Sequence, residues 1–279
     1  MCIRDRYSQI ACEFLGLTPD DINVIEGDTG QVRNGFGTGG SRVSALGSSA
    51  AFQAAGLILE KAMSLASHIL ETGEQDIEFS DGIFTVAGTD RLVSLKEIAI
   101  FALDLTICPP EFTPGLKGNS EYLAKLPNYP NGCHISEVEI DPETGKIAVV
   151  KYTVVDDVGV VINPLLLDGQ IHGGVAQGLG QILFEDIAYD RTTGQLLTGS
   201  FMDYAMPRGD DIPEIFVEAN SVPTNTNPLG VKGAGEAGTI GAMPCVMNAA
   251  IDALSSIGIT QIDMPLTPYR VWNVIQNSR

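Results

Sequence analysis

The sequence is poor in positive charge. Its 279 residues include only 16 Lys and Arg against 35 Asp and Glu, which gives a net charge of −19. A chain this acidic repels the phosphates of nucleic acids and of anionic membranes. These two classes of partner are therefore excluded, and the charge is typical of an acidic enzyme surface.

Cysteine, histidine and long apolar runs are also scarce. The five cysteines contain no CxxC pair, and together with the three histidines they form no cluster at zinc-ligand spacing. An odd number of cysteines argues against a disulfide framework and favours a reducing compartment. No apolar run reaches the roughly 18 residues that predict a membrane span, and no signal peptide is recognisable.

The remaining composition predicts a folded chain. Hydrophobic residues make up 44% of the sequence, and the length suits one large or two ordinary domains. Residues 1–6, Met-Cys-Ile-Arg-Asp-Arg, look like a translated sequencing adapter, so they are left out of the fold prediction. The natural protein is then expected to continue N-terminally of Tyr7, which makes this N-terminus uninformative about localisation.

A glycine-rich stretch at 230–241 is the most informative feature of the chain. It carries five glycines among twelve residues and one carboxylate, Glu236, and leads into an apolar helix predicted over 243–257 and ended by Gly258. A carboxylate held by such a backbone is well placed to act as a base on a bound ligand. The alternative is a solvated side chain, which spacing alone favours, because most of the 35 acidic residues must be solvated.

A second glycine-rich stretch, 35–42, precedes a helix predicted over 43–72 and ended by Gly73. Unpaired backbone N–H groups and the positive end of a helix dipole suit phosphate binding, and Ser41 and Arg42 add a hydroxyl and a cation. Glycines that merely let a helix and a strand pack are an equally good explanation. The stretch matches neither the dinucleotide G-x-G-x-x-G motif nor a P-loop.

A third segment, 168–181, is a helix candidate with an unusually bare face. A neighbouring backbone or a planar ligand could approach this face closely. The amide of Gln170 can both donate to and accept from such a ligand. His172 has no acidic or cysteine partner at metal-ligand spacing, which favours a packed or hydrogen-bonded histidine. The small residues of the bare face are Gly169, Gly173, Ala176 and Gly180.

The other patterns predict an α+β fold with antiparallel hairpins and two or three long helices. The two hairpins are expected at 77–86, around an Asp-Gly turn, and at 134–155, around the turn 141–145. Proline-rich residues 108–131 predict an irregular connection between two subdomains. The remaining strand candidates are 22–25, 183–189 and 213–220, and the remaining helix candidates are 8–15 and 95–103.

The motif Gly-Ala-Gly-Glu-Ala-Gly at 233–238, with the helix after it, resembles the end of the large subunit of the molybdenum hydroxylases. This family includes xanthine dehydrogenase, aldehyde oxidase and the carbon monoxide dehydrogenase large chain. The resemblance covers the chain from Tyr7 to its C-terminus. Further similar stretches follow in the family's order at 37–42, 160–181, 201–208 and 262–272.

The resemblance implies a molybdopterin-binding domain with a first part at 7–107, a connection at 108–132 and a C-terminal subdomain at 133–279. It implies that Glu236 is the general base beside the metal. From its position alone, Lys232 could help to bind an oxyanion or simply be exposed. The candidate cofactor contacts are Gly39, Gly40, Ser41, Arg42 and Gln170, which the resemblance implies, together with Lys232 and Gly235 of the stretch before Glu236.

The implied cofactor is molybdenum-molybdopterin in its cytosine dinucleotide form, whose metal is held by the pterin and not by protein ligands. The implied reaction is oxidative hydroxylation of an aldehyde, an N-heterocycle or carbon monoxide, with oxygen from water and electrons passed to 2Fe–2S and FAD subunits. A cytoplasmic prokaryotic complex, a higher oligomer of this heterotrimer, is implied as well. The substrate stays open, because the N-terminal half of the family's large subunit largely selects it and has no counterpart in this sequence.

Two other hypotheses are kept. The chain could be a non-catalytic structural or assembly fragment that retains no cofactor, with its glycines serving close packing. It could also be a dinucleotide-binding oxidoreductase that uses residues 37–42. This last hypothesis is disfavoured, because the chain continues as a helix where a second parallel strand should end in an acidic residue.

Overall fold

In a computed structural model the chain divides into two compact units. The first comprises Met1–Pro127 and Asn225–Leu229, and the second comprises Asn128–Thr224 and Gly230–Arg279. The structure describes residues 3–32, 35 and 37–278, with side chains from residue 5 onward. The adapter-like residues Met1 and Cys2, and Phe36 of the first glycine-rich stretch, lie outside the described residues.

The first unit packs helices against a small antiparallel sheet. The turn between its first two strands is the predicted Asp81-Gly82 pair, whose φ angles of 48° and 77° suit a two-residue hairpin. The core is built around the fully buried side chains of Leu65, Phe84 and Ile98. The strands pair in the order β1 (Ile77–Ser80), β2 (Ile83–Val86) and β3 (Leu92–Ser94), and the helices are α1 (Ile3–Leu15), α2 (Val43–Ile69) and α3 (Leu95–Leu103).

Two predictions in the first unit are wrong. Residues 22–25 form no strand, since a short run with strand propensity forms one only when a partner strand lies beside it. Helix α2 ends at Ile69, before the predicted end at residue 72. The chain leaves the helix at Glu71, which has a φ of 48°, so Gly73 is not the residue that ends it.

The second unit is a small sheet covered by long helices. The predicted hairpin forms, and a third strand runs parallel to its second strand. The core between sheet and helices includes the fully buried side chains of Tyr152, Leu179 and Val246. The strands are β4 (Asn131–Ile140), β5 (Ile147–Asp157) and β6 (Ile215–Ala219), and the helices are α4 (Pro164–Leu183), α5 (Ala237–Ser255) and α6 (Pro268–Ser278).

The second unit also corrects two predictions. Residues 183–189 are not a strand: Leu183 completes α4, and beyond it Tyr189 forms only a single bridge to Leu196. Helix α5 begins at Ala237, not at residue 243, and Glu236 is its N-cap residue. The candidate base therefore lies directly at the start of the helix.

The combination of hairpins, small sheets and long helices confirms the predicted α+β class. Helices α2 and α5 are long and apolar enough to cross a bilayer, by length and composition only. Both also supply core residues to their own unit. Core helices of globular proteins pass the same test, so this finding is weak evidence for a membrane span.

Candidate active site

Glu236 lies at the N-terminus of α5. Its backbone has φ −110° and ψ −5°, its carbonyl oxygen accepts the N–H of Ile240 at 3.0 Å, and its residue is exposed. The side chain makes no capping hydrogen bond to the helix. A negative charge at this end interacts favourably with the helix dipole. The carboxylate is therefore presented at the helix start, outside the core.

The segment before Glu236 is fixed to the end of β5. Val231 forms an antiparallel bridge with Gly159 and is 1% exposed. The N–H of Lys232 donates to the carbonyl oxygen of Val158 at 2.8 Å, and the N–H of Val160 donates to that of Gly230 at 2.9 Å. The glycine-rich stretch thus enters the site as a paired segment of backbone.

Lys232 is held by an ion pair. Its Nζ lies 2.5 Å from Oδ2 of Asp157, and the two side chains are 13% and 12% exposed. The other Asp157 oxygen, Oδ1, accepts the N–H groups of Gly159 at 2.9 Å and Val222 at 3.0 Å. Burial opposes ionisation of Asp157, but Lys232 and the two N–H groups outweigh it and lower the pKa of the carboxyl. The alternative of a simply exposed Lys232 is therefore wrong.

Helices α4 and α5 meet backbone to backbone. A Cβ placed on Gly238 would lie 2.6 Å from the carbonyl oxygen of Ile171 and 3.0 Å from the N of Val175. The Thr239 hydroxyl donates to the carbonyl oxygen of Gly174 at 3.0 Å. Ile171 follows Gln170 directly, so the backbone of Gln170 lies one residue before this contact between the two helices.

The glycines of α4 that make this contact differ from those expected. A Cβ on Gly174 would lie 2.9 Å from the Gly238 Cα, and one on Gly178 would lie 2.6 Å from the Ala242 Cβ. Gly169 and Gly173 instead meet no described atom within 4 Å. Gly180 of the same face is packed instead, since a Cβ on it would meet the side chains of Glu185 and Pro207. No described backbone contacts the face at Gly169 or Gly173, and a planar ligand there stays a prediction.

The histidine of α4 is hydrogen-bonded and is not packed. His172 is exposed, and its Nδ1 lies 2.8 Å from the carbonyl oxygen of Asp168, one turn earlier in the helix. Among the described residues, no group of three or more His, Cys, Asp or Glu is arranged to hold a metal ion. The residues of the second unit that bear on the site are thus Gln170 and the stretch from Lys232 to Glu236.

The first glycine-rich stretch lies in the first unit. Gly39 and Gly40 are exposed, and a Cβ on either would meet no described atom within 4 Å. Gly40 has a φ of 62° and Ser41 a φ of 53°, both in the left-handed region, and Arg42 is the N-cap residue of α2. The predicted convergence of this stretch with Gln170 and Glu236 stays a prediction.

Sequence analysis missed a buried polar cluster beneath the site. The ring of His134 lies between the Tyr152 hydroxyl, 2.8 Å from Nδ1, and the Asp156 carboxylate, 3.3 Å from Nε2. Burial, the Cys245 thiol and the Asp156 carboxylate raise the pKa of Tyr152 far above its ordinary value. The hairpin register pairs His134 with Val154, and the diagonal neighbours of that pair are Tyr152 and Asp156. The register was the signal that could have revealed the cluster.

The sequence model of the family described as molybdopterin cofactor-binding domain matches residues 4–213. This match covers most of the chain, and the chain therefore belongs to that family. The matched range includes residues 39–42 and Gln170 and ends before Lys232, Gly235 and Glu236. Family membership supports a molybdenum cofactor for the chain.

Relatives with assigned activities are similar over nearly the whole chain. The nicotine 6-hydroxylase large subunit of Paenarthrobacter nicotinovorans is 38% identical over 266 residues, which are 95% of this chain and 32% of the relative. The carbon monoxide dehydrogenase large chain of Hydrogenophaga pseudoflava is 35% identical over 271 residues, which are 97% of this chain and 33% of the relative. The chain thus spans about a third of the length of these relatives.

Solved structures show the same fold. A crystal structure of a Cu,Mo-CO dehydrogenase matches with a TM-score of 0.90 at 33% identity, over 98% of this chain and 34% of that chain. Quinoline 2-oxidoreductase from Pseudomonas putida 86 matches with a TM-score of 0.85 at 35% identity, over 97% of this chain and 34% of that chain. The α+β assignment and the family assignment therefore agree.

Proposed function

We propose that this chain is part of the molybdenum-binding catalytic subunit of a molybdenum hydroxylase. The observation that carries the proposal is the position of Glu236, an exposed carboxylate between a segment bridged to Gly159 and a helix in backbone contact with α4. Relatives named nicotine 6-hydroxylase and carbon monoxide dehydrogenase support the reaction class. The substrate is then an aldehyde, an N-heterocycle or carbon monoxide.

The first glycine-rich stretch fits a bulky cofactor. Its glycines are exposed and leave open the space that a Cβ would fill, so a ligand can approach the backbone closely. Ser41 and Arg42 add a hydroxyl and a cation for the phosphates of the proposed cytosine dinucleotide form. When bound, the molybdenum cofactor supplies the redox chemistry. The proposed contacts are Gly39, Gly40, Ser41, Arg42, Gln170, Lys232 and Gly235.

Lys232 can contact the cofactor although its ammonium group is paired with Asp157. An ammonium carries three N–H donors, and the bond to Asp157 requires one of them. A bound oxyanion beside the glycine-rich stretch could therefore also accept from Lys232. Gln170 lies in α4, one residue before the contact with α5, and its amide offers both a donor and an acceptor to the edge of a pterin.

In this proposal Glu236 is the general base. It accepts the proton of the water-derived oxygen that becomes bonded to the substrate carbon, and it holds that proton on a carboxylate oxygen. An ionised carboxylate has acceptor sites only, so it can take this proton without first giving one up. Its place at the start of α5 keeps it outside the core, where a substrate can reach it.

The proposal includes the assembly implied by the family. Electrons leave to 2Fe–2S and FAD subunits in a cytoplasmic complex, a higher oligomer of the heterotrimer. Residues 7–107 form the first part of the cofactor-binding domain, 108–132 the connection and 133–279 the C-terminal subdomain. The competing proposal is a structural or assembly fragment that retains no cofactor.

The test measures molybdenum and released pterin nucleotide, by elemental analysis and acid extraction, on the complete subunit assembled with its partners. Wild type is compared with Glu236→Gln and with the control Glu139→Gln, an exposed glutamate on β4. We expect full molybdenum in all three and a loss of about 10²-fold or more in turnover with Glu236→Gln alone. Undiminished turnover would remove Glu236 from the chemistry, and absence of molybdenum from wild type would favour the structural fragment.

A further inference from the structure

Strand β5 ends in two consecutive buried carboxylates. Asp156 is 5% exposed and Asp157 is 9% exposed. Successive side chains of a strand point to opposite faces, so the two carboxylates reach different neighbours. Asp157 contacts the segment before Glu236 directly, at Lys232, and Asp156 contacts His134, whose ring lies against the helix after Glu236.

Asp157 holds the segment before Glu236. Its carboxylate pairs with Lys232 and also accepts the N–H groups of Gly159 and Val222. The backbone of Lys232 is bonded to Val158 as well, so both its backbone and its side chain are fixed to the end of β5. The chain therefore leaves this anchor at Lys232 and reaches Glu236 through three small residues.

Asp156 acts on the helix after Glu236, through His134. Its Oδ1 lies 3.3 Å from Nε2 of His134, and the two side chains are 7% and 6% exposed. The ring lies directly against α5, because a Cβ on Gly241 would be 2.5 Å from both ring nitrogens. Only a glycine allows this approach, so the His134 ring fills the space between β4 and the second turn of α5.

Stability alone does not account for this arrangement. The second oxygen of Asp156, Oδ2, is buried and has no hydrogen-bond partner among the described residues. Leaving a buried acceptor unpaired is unfavourable, and apolar residues of similar volume would pack at least as well. Together with the Tyr152 hydroxyl on Nδ1, however, the carboxylate on Nε2 selects one orientation of the His134 ring, which an apolar residue in its place would not.

We propose that Asp156 and Asp157 are positioning residues that hold Glu236 from both directions along the chain. The inference rests on the proposed function, in which Glu236 is the base. A displacement of about 1 Å of a reacting group can cost about 10²-fold in rate, so two anchors around a loop of small residues have a direct catalytic effect.

The test uses the complete subunit in its complex and compares wild type with Asp157→Asn and Asp156→Asn. Asparagine keeps the size of the side chain and one acceptor oxygen but removes the charge that Lys232 or His134 meets. The control is Asp141→Asn, in the turn at the opposite end of the β4–β5 hairpin, where Asp141 accepts the N–H of Glu143 at 2.9 Å. We expect kcat per molybdenum to fall about tenfold or more in both test variants and to stay unchanged in the control.

Three further readouts separate positioning from support of the fold. KM should change by less than about threefold, because substrate binding does not depend on the base, and expressing kcat per molybdenum removes any change in loading that follows from the loss of the Lys232 ion pair. Adding Asp157→Asn to Glu236→Gln should cost no further rate, since the positioned group is already lost. If Asp156→Asn fails to assemble, His134→Gln breaks the same contact and replaces it in the comparison.

Two results would overturn the inference while the proposed function stands. One is an unchanged kcat per molybdenum in both test variants, with only the melting temperature lowered. The other is a loss that adds fully to that of Glu236→Gln. In contrast, wild type without molybdenum, or an active Glu236→Gln variant, would overturn the proposed function and this inference with it.

Discussion

The two glycine-rich stretches of this chain have similar compositions and opposite environments. In the first unit, Gly37, Gly39 and Gly40 are exposed, and added Cβ atoms on them would meet no described atom within 4 Å. In the second unit, Gly238 is buried, and a Cβ on it would meet the backbone of α4 at 2.6 Å. Glycine thus leaves backbone open in one place and brings two helices together in the other.

This difference shows that a glycine-rich pattern can have two physical causes: a left-handed backbone conformation, or a contact that leaves no room for a side chain. The first stretch requires left-handed backbone at Gly37 and Gly40, with φ of 65° and 62°, and leaves space for a ligand. The second also has left-handed backbone, at Gly230 with a φ of 67°, but its Gly238 requires in addition the absence of a side chain, so that the start of α5 can pack on α4 beside Glu236. The proposed cofactor contacts and the proposed base therefore depend on glycine for different reasons.

The largest effect is expected where glycine serves packing. Gly238→Ala should destabilise the folded chain by about 1–3 kcal/mol, because the new methyl group overlaps the backbone of α4 and outweighs the helix propensity of alanine. The matched control is Gly173→Ala, on the open side of α4, which should stabilise by about 0.5–1 kcal/mol. Denaturant titration of the complete subunit measures both, and equal effects would remove the distinction between packed and open glycines.

A smaller effect on stability is expected in the first stretch, where glycine is required for its left-handed backbone conformation. Gly40→Ala should cost about 1–2 kcal/mol, because alanine is disfavoured at a φ of 62°. Gly39→Ala should change stability by less than about 0.5 kcal/mol, since Gly39 has neither positive φ nor a neighbour within 4 Å. Under the proposed function, both variants should lower the molybdenum content measured by elemental analysis. A Gly39→Ala variant with full molybdenum content would show that the space there is not used by the cofactor.

The smallest effect is expected at low pH, which should weaken the ion pair between Asp157 and Lys232 of the second stretch. Burial opposes ionisation of Asp157, but Lys232 and two N–H groups lower its pKa below the ordinary value of about 3.9. The stability from this depressed pKa is fully present above the ordinary value and is lost as pH falls through the folded-state value. The melting temperature of Asp157→Asn should therefore be lower than that of wild type near neutral pH, and the gap should narrow below about pH 4. Parallel curves from pH 7 to pH 2 would contradict this assignment.

Local patterns predicted much of the fold. Helix α3 has the predicted ends, and both hairpins form around their turns, because Asp81-Gly82 and residues 141–145 specify their conformation from neighbouring residues alone. The strands predicted at 22–25 and 183–189 do not form, because strand formation depends on residues that are distant in the chain. An apolar run becomes a strand only if another strand lies beside it, and Leu183 is instead the last residue of α4.

The site was predicted only in part. The glycine-rich motif around Glu236 is visible in the sequence, and its resemblance to a known family suggested a role for the carboxylate. The partners of Asp156 and Asp157 were not visible, because Lys232 is 75 positions beyond Asp157 and no local pattern connects them. The start of α5 at Ala237 was missed as well, since glycines at a helix start resemble a loop.

By itself, the sequence determined the α+β class, the hairpin turns and the family to which the chain belongs. These depend on short segments, whose backbone preferences act over a few residues, and on motifs that can be recognised in order. The tertiary structure alone decided which glycines are packed and which are open, and which buried carboxylate meets which partner. Burial and contact arise between residues far apart in the chain, so they cannot be predicted from local backbone preferences.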